Sequence, residues 1–353
     1  MWREAGSEAR GRVAKRQISS DSMHQVQTVG TANFPIVILK DGQGSEVHVA
    51  PAAGFNAFVF RVRRGDEIIP ILLEPETQEE LHGGGFSFGL PILFPFPNRT
   101  RRGRYLFGGQ EHQLDINWKD GNAIHGLVCD RPWHIDATQA DENGACVSAR
   151  FQTGEHAEVM RQYSFDCELT VSYLLRNGVL SLYAAVRNTG KEDMPMGFGI
   201  HPWFHAPLTK AGKREDCILT VPARARWELE SEEQLLPTGR VLPLEGKDDW
   251  SRGAPLADHF LDDVFTDLVY DGDEHICSVR DDASRVLLEV RAGKGFREHV
   301  VYAPLDQKIV CLEPYTQTTD FVNLHARGVD AGLIALPSGG RWSGDIHINP
   351  VFL

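Results

Sequence analysis

Residues 165–188 read FDCELTVSYLLRNGVLSLYAAVRN, and the fold class is decided here. Phe165, Cys167, Leu169, Val171, Tyr173 and Leu175 alternate with mostly polar neighbours, which is the two-residue period of a strand that buries one face. Residues 179–188 form a second strand-like run. Asn177 and Gly178 stand between the two, and both residue types tolerate positive φ, so the stretch predicts a tight β-hairpin.

The same texture continues outward. Further β-rich runs lie at IVILK (36–40), AFVFRVR (57–63), IIPILL (68–73), CILTVP (217–222), VLLEV within RVLLEV, EHVVYA (298–303) and DIHINPVFL (345–353). Helical periodicity is almost absent, while 34 glycines and 19 prolines supply turns between many strands. No fixed-period repeat is visible, which argues against a propeller or a β-helix. Nothing inside residues 35–353 reads as a linker. The expectation is an all-β protein, a large antiparallel β-sandwich, with residues 31–353 as a single domain. Residues 1–30 are polar, carry Arg3, Arg10, Arg12, Lys15 and Arg16, and have no apolar core. They lack the apolar stretch of a secretory signal, and Glu4 and Glu8 count against a transit peptide. A disordered leader, or a true start at Met23, is the expectation there.

Composition narrows the function. The chain has 353 residues, is 42% hydrophobic and 24% charged, and has a formal net charge of −13. That balance supplies a core and speaks against a general phosphate-backbone binder. The six cysteines (Cys129, Cys146, Cys167, Cys217, Cys277 and Cys311) form no CxxC pair and no Cys/His finger spacing, so they read as reduced, mostly buried thiols. No apolar run is long enough to span a membrane. A cytoplasmic monomer or homodimer, with no nucleic-acid or membrane partner, is expected.

Four polar constellations sit in apolar or turn-rich surroundings: FPFPNRTRRGRY (94–105), NAIHG (122–126), GFGIHPWFH (197–205) and IVCLEPYTQTTDF (309–321). Glu313 ends a buried-strand run, where a carboxylate is costly to desolvate unless it is paired or working. Partial burial would raise its pKa towards neutrality and suit it to general-base work; capping a strand end is the plainer alternative. His201 lies among aromatics, where a core histidine bonded to a carbonyl is common. Gly197 and Gly199 nevertheless leave room for a ligand, and Trp203 and Phe204 offer apolar faces of the kind that stack on sugar C–H surfaces. His125 precedes Gly126 and fits a turn equally well. Asp262, between Leu261 and Val264-Phe265, can point inward to accept hydroxyl hydrogen bonds, with Asp263 facing the other way; an exposed turn carboxylate is the alternative.

In this order the four constellations resemble the aldose 1-epimerase (galactose mutarotase) family. The resemblance runs from about residue 35 to the C-terminus. It rests on PNRTRRGRYLFGGQEHQLDIN followed by NAIHG, on HPWF, and on VCLEPYTQTTDFVN. It implies a β-supersandwich, a free-sugar substrate, no cofactor and no metal. By position, Glu313 matches the family's catalytic base and His201 its acid. Arg99 and His125 match sugar-holding residues, and Asp262 matches a hydroxyl-binding aspartate; Asn98 and Trp203 flank these positions. Ile200, Trp203 and Leu127 depart from the common pattern, which implies a divergent branch with altered sugar preference.

On this reading the carboxylate takes the proton of the C1 hydroxyl while an imidazolium, kept charged by the carboxylate, protonates the ring oxygen. Arg99 supplies a rigid donor fork whose position is pre-set by Pro95 and Pro97, and Arg101, Arg102 and Arg104 face solvent. A hexose-6-phosphate 1-epimerase using that arginine cluster is one rival, and a non-catalytic carbohydrate-binding domain is another. A glycoside hydrolase pairing Glu313 with Asp262 fits the order of motifs poorly.

Overall fold

In the computed structural model, which describes residues 24–83, 85–231 and 234–353, the hairpin closes at Asn177 and Gly178. Their φ angles of 52° and 77° are the double left-handed turn that matches the twist of the flanking strands. Cys167–Arg176 pairs antiparallel with Val179–Asn188, in register from Cys167 opposite Asn188 to Arg176 opposite Val179. Along Cys167–Arg176 every second side chain is buried, so the alternation read in the sequence is the alternation between core and outer face. Leu169, Val171 and Leu175 are fully buried, each contributing roughly 1.5–3 kcal/mol from apolar burial.

This hairpin lies in a ten-stranded antiparallel sheet that also holds the long strand Arg341–Phe352 at its centre. A second, eight-stranded sheet runs in the order Pro237–Pro243, Ala223–Leu229, Leu261–Leu268, Glu298–Ala303, Ile309–Tyr315, Gly199–Ile200, Ile92–Leu93, with Trp203–His205 also paired to Ile309–Tyr315. A five-stranded meander from Gln25 to Pro70 completes the main layers. One hydrophobic cluster joins all three: Val37 and Val47 from the meander, Val171 and Val290 from the large sheet, Val301 and Leu312 from the second. The two large sheets meet face to face, His275 of one against His299 of the other at 5.2 Å between ring centroids.

Directly paired residues in an antiparallel sheet share a face. In the eight-stranded sheet His299, Val301 and Leu312 therefore point at the large sheet, and Val300, Tyr302, Cys311 and Glu313 point away from it. That second face is the floor of the site. Among the described residues three short α-helices, Gln78–Gly83, Ala157–Gln162 and Phe321–Ala326, interrupt the strands.

Several boundaries differ from expectation: the run at 217–222 is strand only over Ile218–Thr220, and the run at 345–353 belongs to a strand that starts at Arg341. Residues 25–30, placed in the leader by sequence, belong to the strand Gln25–Thr31, which pairs with Phe34–Lys40; residues 1–23 of the leader, with Met23, lie outside the described residues. That strand is almost wholly exposed, so it carries no apolar alternation to betray it. The run at 68–73 is strand only as far as Pro70, with an isolated bridge from Leu72 to Phe204. The six cysteines are unpaired and five are buried, Cys146 being half-buried.

Candidate active site

The centre of the site is one row of the eight-stranded sheet. Gly199 is opposite Tyr315 and Trp203 is opposite Cys311, so His201, midway between them, falls beside Glu313. His201 Nε2 lies 3.4 Å from Glu313 Oε1. The next strand places Val300 opposite Glu313 and Tyr302 opposite Cys311, and the strand beyond it places Asp262 opposite Tyr302. Asp262 thus shares a face with Glu313, two strands away. Asp263 faces the other side and pairs with Arg226 at 3.2 Å, as its position in the alternation requires.

The opposite wall comes from two loops. Asn98 and His125 both adopt left-handed backbone, with φ of 61° and 64°. Asn98 Oδ1 accepts from the Arg99 backbone N–H at 2.8 Å and from Arg99 Nη1 at 3.2 Å, while the His125 N–H donates to the Asn98 carbonyl at 2.9 Å. Gly126 follows with φ of 75°, and a Cβ there would lie 2.2 Å from the Phe94 carbonyl oxygen; no other residue permits this approach. Asn117 pins the segment from outside, accepting from the Ile124 N–H at 2.7 Å and donating to its carbonyl at 3.0 Å. The His125 ring then meets His201 edge-on, at 5.1 Å between centroids.

These walls enclose a cavity of about 600 Å³, within the ~300–1,000 Å³ usual for small-molecule sites. All seven side chains singled out in the sequence line it: Asn98, Arg99, His125, His201, Trp203, Asp262 and Glu313. Sequence reasoning missed Phe86, Trp118, Asp120, Phe260 and Tyr302, which also line it. Asp120 holds Arg99 Nε at 2.7 Å, a pairing that its place in an ordinary Asp-Gly turn did not announce. The fork expected of Arg99 is therefore partly used by the protein, leaving Nη2 without a protein partner among the described residues. Trp203 stacks on His201 at 5.1 Å and 12°. Arg101, Arg102 and Arg104 do not line the cavity: Arg101 pairs with Glu230 and Asp320, Arg104 with Glu111.

Burial dominates the electrostatics. It pushes Glu313 well above the ordinary carboxylate range, with Asp262 adding repulsion, against a hydrogen bond from Tyr315 and the charge of Arg99. It lowers His201 to about 3 and raises Asp262 to about 6. Burial thus works against the charge that the sequence reading expected the nearby carboxylate to keep on His201. As possible ion ligands, His201, Cys311 and Glu313 each bring one donor atom within 4.8 Å of the others, as do the half-buried Glu274, Asp345 and His347.

A family model described as aldose 1-epimerase matches residues 37–349. Over 134 residues, 37% of this chain and 40% of the relative, the chain is 33% identical to the uncharacterised protein YihR of Escherichia coli K12. It is 27% identical to galactose mutarotase of Mus musculus over 42% of this chain and 41% of the relative. The chain thus aligns with only about two fifths of the length of these curated relatives. Among solved structures, a galactose mutarotase-like protein of Clostridium acetobutylicum superposes with a TM-score of 0.84 at 22% identity, covering 94% of this chain and 99% of the other. A second, described as a putative aldose 1-epimerase from Escherichia coli K12, gives a TM-score of 0.67 at 19% identity, covering 94% and 100%. The site row, the loop walls and the match over residues 37–349 lead to one assignment: the chain belongs to the aldose 1-epimerase family.

Proposed function

We propose that the protein is a mutarotase that interconverts the α and β anomers of a free aldose in the cytoplasm, with Glu313 and His201 exchanging protons with the anomeric centre. The observation that carries this is the 3.4 Å approach of His201 Nε2 to Glu313 Oε1 inside the cavity. Ring opening breaks the bond between C1 and the ring oxygen; the C1 hydroxyl loses a proton and the ring oxygen gains one. Glu313 takes the first and His201 gives the second, so the pair carries one proton before and after the step. In the working state that proton is on the imidazole, because the C1 hydroxyl donates to a carboxylate and the ring oxygen accepts from an imidazolium. Rotation about C1–C2 in the open aldehyde presents the other carbonyl face, and re-closure reverses both transfers.

The remaining side chains hold the sugar. Asp262 accepts from hydroxyls, Arg99 Nη2 donates to sugar oxygens, His125 donates to or accepts from them, Asn98 fixes Arg99, and Trp203 backs His201. Phe260, 54% exposed at the rim, offers a face to sugar C–H groups. The placement of Arg101, Arg102 and Arg104 outside the cavity favours an unphosphorylated sugar. Exchange between the α and β anomeric signals of glucose, galactose and other free aldoses, followed by NMR, tests the reading. Acceleration over the spontaneous rate for at least one sugar is expected; spontaneous rates for all of them would reject it.

A further inference from the structure

We propose that Tyr315 is a positioning residue for Glu313, and that Gly199 exists to admit its ring; this rests on Glu313 acting as the base. Tyr315 is two residues beyond Glu313 on the strand Ile309–Tyr315 and so shares its face. Its hydroxyl donates to Glu313 Oε2, and both side chains are buried. Oε2 is thereby occupied, and Oε1 is the oxygen that faces His201. One carboxylate oxygen is held still while the other does the chemistry.

The ring reaches this position by lying across the neighbouring strand. Gly199 is directly opposite Tyr315, and a Cβ there would fall 2.3 Å from Tyr315 Cδ1, 2.8 Å from Cε1 and 3.2 Å from the Pro314 carbonyl oxygen. Gly199 is not among the glycines with positive φ, so its backbone would accept any residue; the tyrosine ring is what forbids one. The glycine and the tyrosine form one device.

The groups facing Glu313 set the direction of the effect. His201, Tyr315, Asp262, Arg99, Tyr302 and Cys311 surround it, from four strands and from the connection between Gly199–Ile200 and Trp203–His205 that carries His201. Of these, Tyr315 gives the only hydrogen bond to the carboxyl among the described residues, and it favours the charged form. Removing it makes the carboxylate harder to form.

The test uses the full chain with Tyr315→Phe, Gly199→Ala, Tyr315→Ala and the double variant Gly199→Ala/Tyr315→Ala. Tyr315→Phe is expected to lower kcat about tenfold with KM little changed. It should also move the alkaline limb of the pH–rate profile up by about one unit, the usual scale of a hydrogen bond to a charged group. Carbon-13 NMR of the Glu313 carboxyl, assigned with Glu313→Gln, should show the same upward shift of its midpoint. Gly199→Ala should reproduce these changes in the native background and have no further effect beside Tyr315→Ala. A wild-type kcat, limb and carboxyl midpoint in Tyr315→Phe would overturn the proposal, as would an equal cost of Gly199→Ala in both backgrounds. An active Glu313→Gln enzyme would instead sink the catalytic reading, while the carboxyl midpoint would still report on the contact with Tyr315.

Discussion

Two adjacent side chains of the site row carry the proposed chemistry, and depth acts on the charge of both. Because Glu313 is raised and His201 is lowered, the pair keeps one proton across a wide range. The proposed reaction should therefore show a bell-shaped pH profile. Its acid limb, where a second proton enters, should lie below the ordinary histidine value of about 6.5, and its alkaline limb, where the last proton leaves, above the ordinary carboxylate range. A profile falling off at 6.5 on the acid side would contradict this. Asp262 gives a second test. Its folded pKa of about 6 exceeds its unfolded value, so its contribution to stability is full below the ordinary aspartate range and is lost as pH rises through about 6. Asp262→Asn should raise Tm by a few degrees at pH 8 while raising KM, since the carboxylate is kept there for the sugar at a cost to the fold. The sequence made Glu313, His201 and Asp262 visible, because a polar residue in an apolar strand needs a reason. It did not show that His201 is lowered, since that depends on how deeply the fold buries it.

At the level of elements, the loops of the site are held by side-chain imitations of strand pairing. Asn117→Ala removes both hydrogen bonds to Ile124 and frees the segment that aims His125. It should cost about 1–2 kcal/mol of stability and raise KM more than it lowers kcat, measured by denaturation and steady-state kinetics. The strand Cys167–Arg176, with one buried face, was legible from alternation, and Glu298–Ala303, buried on both faces, from its β-rich composition, matching the expected residues end to end. Gln25–Thr31 was not, because an exposed edge strand has no apolar pattern to read. Asp120 and Phe86 escaped notice for a related reason: each sits in a turn, and only the fold brings turns to the cavity rim.

For the whole molecule, a net charge of −13 and the pairing of Arg101 and Arg104 with carboxylates outside the cavity set the expected substrate charge. Glucose should be turned over at least as well as glucose 6-phosphate; a large preference for the phosphate would favour the rival enzyme. Residues 31–353 are proposed as one domain, since a single hydrophobic cluster joins the three main sheets. One cooperative calorimetric transition is the expected result, and two separate transitions would argue against it. The fold class was readable from one hairpin and its turns. Which face of which sheet becomes the site was not, because it depends on a register between strands that are more than a hundred residues apart, as His201 and Glu313 are.

The central claim is that Glu313 and His201 act together on one anomeric carbon. Polarimetry on freshly dissolved α-D-glucose or α-D-galactose, with wild type, Glu313→Gln and His201→Asn, addresses it directly. Each variant should lose at least about 10²-fold in turnover with an unchanged circular dichroism spectrum, and near-native rates in either one would contradict the claim.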